Sequence, residues 1–430
     1  MKKHTTSTAI PTYALKAEAL ASMSASFERF CLAAGLETLS EMLEQDATAA
    51  CGERHERGER RQAHRWGRTK GKIGFHGGKV EIERPRVRGL DGAERVLPSW
   101  ANAVSEDLLG KWAMNQMLIN VSTRRFKRSV RLPEGDVPAS DGAGLSKSAT
   151  SRRFVALSAA RMKAWMETRL DDLDLLAIQI DGIHMDEDML LVAAIGVDAN
   201  GDKHPLGLVE GATENAMTVQ ALIDNLVERG LDPTVRRLFI IDGAKALSKA
   251  IRRTFGRDAA IQRCQIHKAR NILERLPKSM HASVRRVLRQ AWEMDDAKKA
   301  ETLIRNLARR LERDWNGVSA SILEGIDEML TVTRLGLPRE LRLLACANII
   351  ENVMGTVRRV CRNVKYWRSP SMALRWAAAA MQEATKGFRR LKGYKHLPAL
   401  RVALAKQGQQ PPSDEALVKP RQPSPCMMSV

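Results

Sequence analysis

LDLLAIQIDGI at residues 173–183 and RRLFIIDGA at 236–244 share one pattern, an apolar run that reaches an aspartate followed by glycine. Between them lie MLLVAAIGVD (189–198) and KHPLGLVEGA (203–212), two further apolar runs separated by the turn residues DANGD. Short apolar runs bounded by turn residues predict strands, so the first three form two hairpins. NAMTVQALIDNLVERG (215–230) then carries apolar residues at helical spacing and closes on Gly230. A helix over ALSKAIRRTFG (246–256) and a strand over AAIQRCQI (259–266) complete the series. The order strand, strand, strand, helix, strand, helix, strand predicts an α/β fold with a mixed sheet and helices packed on it. In such a sheet the first and fourth strands lie side by side, which brings Asp181 and Asp242 together across 61 residues of chain. Taken singly, each Asp-Gly pair is an ordinary turn; both at matching strand ends point to a shared site.

A third acid is expected from ELRLLACANIIENVMGTVRRVCRN (340–363), which reads as one amphipathic helix with Glu351 near its middle. Glu351 is the sole acid between Glu340 and Glu383 and is flanked by Ile349, Ile350 and Val353, so its carboxylate faces a cleft with a cation or basic partner near it. Asp181, Asp242 and Glu351 are oxygen donors without an evident His or Cys cluster, a set that suits Mg2+ or Mn2+. Two such ions roughly 4 Å apart activate an attacking oxygen and stabilise a leaving one in phosphoryl transfer. Cys264 and His267 form a C-x-x-H element at the end of the last strand. Three roles are open to it: half of a zinc site, a contact beside the acids, or plain core packing.

Charge is spread unevenly around this centre. The 430 residues carry 70 Lys and Arg against 50 Asp and Glu, a net charge of +20. Residues 171–242 nevertheless hold 15 acids and 4 bases, while 352–395 hold 11 bases and one acid. An acidic island in a basic chain is either a solvated face or a site that gathers cations. The basic surplus attracts polyanions, and without an apolar run of roughly 18 residues the expected partner is a nucleic acid and not a membrane, double-stranded DNA in view of the groove-entry helices upstream. Arg358, Arg359, Arg362, Lys365, Arg389, Arg390 and Lys392 are the expected phosphate contacts.

Upstream, residues 52–88 combine 12 bases with 5 acids, interleave Trp66 and Phe75, and include Arg65 and Arg68 as further DNA contacts. KVEIERPRV in this segment alternates as a strand, led by a Gly-Gly turn, and SFERFCLAAGLETLSEMLEQ before it has helical spacing for packing or oligomerisation. SEDLLGKWAMNQMLI, NVST and RRFKRSV read as helix, turn and helix over 105–130. GLSKSATSRRF starts another capped helix bearing Lys147, Arg152 and Arg153. Such helices suit groove entry, although each alone is equally a surface helix. Six cysteines without framework spacing and an N-terminus with no signal-peptide pattern point to a reduced, cytoplasmic, nucleoid-associated protein.

The blocks IDGIHMDEDMLLVAAIGVDANGDKHPLGLVEGATENA, LFIIDGAKAL, RCQIHKARNIL and ANIIENVMGTVRR resemble the catalytic blocks of mutator-type transposases of bacterial insertion sequences. The likeness extends to HRWGRTKGKIGFHGGKVEIERPRVRG, NVSTRRF and GLSKSATSRRF upstream and MALRWAAAAMQEATKGFRRLKGYKHLPAL downstream, most of residues 26–405. It implies a ribonuclease-H-like core with Asp181, Asp242 and Glu351 as the metal-binding triad and Cys264 and His267 as the family's C-x-x-H signature. It implies a helical insertion before the glutamate, with Trp292 and Trp315 in its packing, and DNA-binding modules, mostly helical, ahead of the core. The corresponding expected divisions are 1–100 and 101–170 for DNA binding, 171–267 for the first part of the core, 268–340 for the insertion, 341–405 for the rest of the core and 406–430 for a disordered tail. The implied activity is metal-dependent cleavage of transposon ends and strand transfer into target DNA by a homo-oligomer. A nuclease or resolvase that cuts without joining, and a decayed DNA-binding relative, are the alternatives. Asp186, Glu187 and Asp188 depart from the family, many of whose members carry bases there.

Overall fold

The computed structural model describes residues 27–54, 62–105, 107–126, 146–186, 189–211 and 216–407. The expected tail beyond 407, most of the second helix of the helix-turn-helix segment, and Glu187 and Asp188 lie outside these residues. The chain divides into two compact units, Met1–Arg161 with Val360–Asn363, and Met162–Arg359 with Val364–Val430.

In the first unit, helix α1 (Phe27–Cys51) packs on an antiparallel sheet of β1 (Ala63–Phe75), β2 (Gly78–Gly89) and the short β3 (Glu94–Arg95). The region expected to be mostly helical thus carries a long hairpin. Phe75 pairs with Gly78, leaving His76 (φ 38°) and Gly77 (φ 85°) as a two-residue turn in the left-handed region that suits strand twist. The turn is His-Gly, and Gly78 already belongs to β2. Leu43, Ala47 and Cys51 of α1 meet Ala63, Ile82, Val87 and Leu97 in one core. Helices α2 (Pro98–Ser105), α3 (Leu108–Leu118) and α4 (Lys147–Glu167) follow, α4 belonging to this unit up to Arg161.

The second unit is built on five strands, β4 (Leu175–Asp186), β5 (Met189–Asp198), β6 (Lys203–Gly211), β7 (Leu238–Ile241) and β8 (Ala260–Arg263), in the order β6-β5-β4-β7-β8. The β4–β5 and β5–β6 pairs are antiparallel, whereas β4–β7 and β7–β8 are parallel, giving the mixed α/β sheet that the sequence pattern predicts. Ile178 and Ile180 of β4 face a core shared with helices α5 (Ala216–Glu228) and α6 (Lys245–Phe255). Strand alternation therefore turns Gln179 and Asp181 to the opposite face.

After β8 the chain leaves the sheet for six helices: α7 (Gln265–Leu273), α8 (Lys278–Glu293), α9 (Ala297–Glu312), α10 (Asn316–Leu323), α11 (Ile326–Met329) and α12 (Thr331–Arg334). Ile272, Leu288, Ile304, Val318 and Met329 form their own core, with Trp292 and Trp315 packed against it. A 3-10 turn (Arg339–Ala345) returns the chain to the sheet, where α13 (Asn348–Cys361) carries Glu351. Helix α14 (Pro370–Thr385) lies along β6, and α15 (Leu397–Gln407) contacts β4.

Two details differ from the sequence reading. The run through 340–363 is not one helix: Cys346 is extended (φ −133°, ψ 152°) and breaks it, so Glu351 sits in the first turn of α13 and not near a helix middle. Strand β4 also does not end at Asp181. Pairing with β5 carries it on to Asp186, whereas its parallel neighbour β7 stops at Ile241. Only Asp242 therefore follows a strand end, and there Gly243 makes the turn at φ 107°.

Candidate active site

The register of two parallel strands sets the first half of the site. Ile180 is paired with Ile241, so the next residues, Asp181 and Asp242, emerge beside each other where β7 ends. Asp181 Oδ1 accepts from the Gly182 N–H at 3.0 Å, and Asp242 Oδ1 accepts from the Ala244 N–H at 2.8 Å. Asp181 is buried, and among the described residues neither acid pairs with a Lys or Arg. Burial first, and the neighbouring Asp242 carboxylate second, push the Asp181 carboxyl up to about 6.

A neutral residue fixes the second half. Gln179, fully buried two positions before Asp181, donates from Nε2 to the Cys346 carbonyl at 3.2 Å and accepts at Oε1 from the Ile350 N–H at 3.0 Å. Both partners flank the start of α13, where free N–H groups need acceptors. The clamp ties β4 to the turn that presents Glu351.

Cys264 and His267 lie with Glu351, the placement beside the acids that was one of the three roles open to the C-x-x-H element. Cys264 caps the start of α7, and its buried Sγ accepts from the Ala347 N–H at 3.3 Å. His267 Nε2 lies 3.1 Å from Glu351 Oε1. That approach is an ion pair by distance, yet the angle gives no hydrogen bond, and Glu351 Oε1 and His267 Nδ1 both stay buried without one. His267 is raised to about 9, chiefly by the Cys264 thiol beside it and then by the charges of Asp181 and Glu351. The Cys346 thiol, which sequence spacing did not connect to the site, sits against Cys264; its hydrogen bond lowers Cys264 and raises Cys346.

Paired carboxylates without a basic partner, and a buried glutamate oxygen without a donor, fit a hard divalent cation. Asp181, Asp242 and Glu351 are the oxygen ligands available to hold it. The three potential ligand atoms gathered within 4.8 Å of one another are a different set, those of Cys264, His267 and Glu351. Glu351 rests on His267, whose imidazole also feels the Asp181 charge.

The basic residues nominated from sequence separate into engaged and open ones. Arg65 and Arg68 both bind Glu44 at 2.9 Å, Arg65 also reaches Thr48 at 2.7 Å, and Arg153 pairs with Asp107. Arg390 pairs with Asp202 at 3.3 Å. Lys147, Arg152, Arg358, Arg362, Lys365 and Lys392 are exposed. Arg359 and Arg389 line a single cleft of about 400 Å3 with Lys203, along the outer side of α13.

A family model described as Transposase, Mutator family, matches residues 10–390. The transposase for insertion sequence element IS6120 of Mycolicibacterium smegmatis is 29% identical over 264 residues, 60% of this chain and 80% of that protein. The transposase for insertion sequence element IS256 in transposon Tn4001 of Staphylococcus aureus is 25% identical over 342 residues, 76% of this chain and 83% of that protein. The transposase for insertion sequence element IST2 of Acidithiobacillus ferrooxidans is 28% identical over 202 residues, 47% and 67% of the two chains.

Proposed function

The chain belongs to the Mutator family of transposases, and from that premise we propose that it cleaves the ends of an insertion sequence and joins them to target DNA at a site made by Asp181, Asp242 and Glu351. The observation that carries this reading is the parallel register, Ile180 beside Ile241, which sets two acids of distant sequence side by side. The strand order β6-β5-β4-β7-β8, three antiparallel strands continued by two parallel ones, supports a ribonuclease-H-like core. On it the catalytic acids occupy β4, the end of β7 and a returning helix.

Bound Mg2+ or Mn2+ would supply activation of an attacking hydroxyl and charge neutralisation at the phosphate. The chain itself supplies position. Asp181 on β4 and Asp242 directly after β7 set two carboxylates side by side, and the Gln179 clamp holds the helix start that carries Glu351. His267 lies 3.1 Å from Glu351 and offers a proton-bearing group beside the acids. The open bases, with the Arg359 and Arg389 cleft foremost, would hold DNA phosphates, and synapsis of two ends requires more than one protomer. The activity would take place in the cytoplasm at the nucleoid.

Asp242→Asn tests the reading. Cleavage of DNA carrying the element ends should vanish while DNA affinity stays within about twofold; normal cleavage by this variant would remove Asp242 from the mechanism. Supplying pre-cut 3' ends and scoring joined product separates a transposase from a nuclease that only hydrolyses.

A second reading rests on the thiol, imidazole and carboxylate of Cys264, His267 and Glu351, a donor set that also suits zinc. Metal analysis of protein purified without chelators decides between them. One zinc per chain, lost in Cys264→Ser, would make Glu351 a zinc ligand; no zinc leaves it to the acid pair.

A further inference from the structure

Beside Asp242, at Gly243, the surface opens into a cleft of about 860 Å3 between α6 and the loop preceding α11. Helix α6 gives it Lys245, Lys249, Arg252 and Arg253, and Arg257 and Arg263 complete the lining against only Glu324 and Glu328. Lys245 is spent on Glu324 at 3.2 Å and Arg252 on Glu328 at 2.7 Å. Lys249, Arg253, Arg257 and Arg263 pair with no carboxylate among the described residues, so the cleft keeps an uncompensated positive charge.

Its floor is the informative part. Arg263 is 9% exposed and donates from one terminal nitrogen to the Glu324 carbonyl at 3.2 Å, while its Nε is buried without a partner. Lys268, 1% exposed, shares that carbonyl at 3.0 Å, and burial together with the neighbouring Arg263 charge brings its ammonium down to about 8. Two cations on one neutral oxygen cost free energy that an anion above them would offset. Arg263 reaches this place because position 243 is glycine: a Cβ there would lie 1.9 Å from Arg263 Nε. The residue after the proposed catalytic aspartate is thereby committed to the cleft floor.

We propose that this cleft is a phosphate-binding track for a DNA strand passing the catalytic acids, distinct from the cleft of Arg359 and Arg389. The inference rests on the reading of Asp181, Asp242 and Glu351 as the site of DNA chemistry. Lys249 and Arg253 on α6, Arg257 just past its end and the buried Arg263 guanidinium near Asp242 spread four positive charges over one open cleft, which suits a chain of phosphates better than a single small anion. Base-independent contacts of this kind fix where the strand lies and leave sequence reading to other residues.

The test uses the full chain with Lys249→Gln, Arg253→Gln and Arg257→Gln combined, all three exposed and outside the acid cluster. A control removes the same charge from the exposed bases of α8 with Arg285→Gln, Arg286→Gln and Arg289→Gln. Binding to a 30-base-pair duplex of arbitrary sequence and to a 30-nucleotide thymidine strand is measured against salt, with EDTA so that no cleavage occurs. Each lost phosphate contact lowers the slope of log affinity against log salt by about 0.9 on duplex and about 0.7 on single strand. A fall of at least one contact in the cleft variant but not in the control supports the track, and the arm that shows it says whether the strand is paired or single. Equal slopes for the cleft variant and the parent on both probes, or equal falls in cleft variant and control, overturn it. Because no chemistry is scored, this result stands apart from the cleavage assay on Asp242→Asn: either reading can fail without the other.

Discussion

Gln179 bears no charge and carries out no chemistry, yet two hydrogen bonds from it decide where Glu351 points. Gln179→Leu keeps approximate volume and strands a buried carbonyl and a buried N–H, at roughly 1–3 kcal/mol for each orphaned group. The expected loss of stability is about 3 kcal/mol by chemical denaturation, with slower cleavage and unchanged DNA affinity; an unaltered denaturation midpoint would show that the clamp carries no weight. Asp181 makes a prediction of opposite sign. Its carboxyl, near 3.8 when unfolded, is raised to about 6 when folded. The native state then binds more protons between those values, so ionising Asp181 opposes folding and stability falls as pH rises from about 4 to 6. In cation-free buffer Asp181→Asn escapes that fall, and its advantage over the parent should grow to about 3 kcal/mol by pH 7 and be absent below pH 3. Parallel stability curves for the two proteins across this range would mean that Asp181 is not held in a buried, like-charged setting. Added divalent cation should reverse the order.

Elements show why some of this arrangement was legible and some was not. Strands β5 and β7 and the first part of β4 are legible because they are buried almost throughout, and a continuous apolar run between turn residues has few other readings; β6, buried mainly at its middle, is marked by the turn residues before it. Strand β1 was missed. It exposes much of its length, and its Lys, Arg and Gly residues follow no apolar alternation. Helix α13 was placed too early because residues 340–363 keep a helical period that local spacing cannot interrupt. Long-range bonds hold the break at Cys346 instead: Gln179 donates to the Cys346 carbonyl and accepts from the Ile350 N–H, and Cys264 Sγ accepts from the Ala347 N–H. Helix α9 is a simpler case, since Asp296 accepts from the Lys298 and Lys299 N–H groups and closes its N-terminus. Asp296→Ala should lower stability by about 1 kcal/mol without altering cleavage, checked by thermal melting and a single-turnover assay. No change in melting would place the stability of this insertion in its apolar core alone.

At the scale of the whole molecule, the net charge of +20 and the acidic site describe a division of labour. On the proposed reading, basic surface would gather a polyanion while the partly buried acids would keep their negative charge for cations. DNA binding should therefore weaken steeply between 50 and 200 mM salt, by roughly a thousandfold or more if six phosphates are engaged. A flat response, read by fluorescence anisotropy, would mean that the basic surface does not meet the backbone. Among the described residues no helix is long and apolar enough to cross a membrane.

Composition and period by themselves determined the mixed sheet, the helical stretch between Asp242 and Glu351, and the candidacy of all three acids. Each is recorded in local burial demand and in the spacing of apolar residues. Only the tertiary structure decided that Cys346 and His267 stand with Glu351, that Arg65, Arg68 and Arg153 are occupied by Glu44 and Asp107, and that an unpaired Arg263 waits beside Asp242. The physical reason is distance along the chain. Hydrogen bonds and ion pairs between residues dozens to hundreds of positions apart leave no periodic trace, because the partner of a polar side chain is chosen by packing and not by its neighbours in sequence.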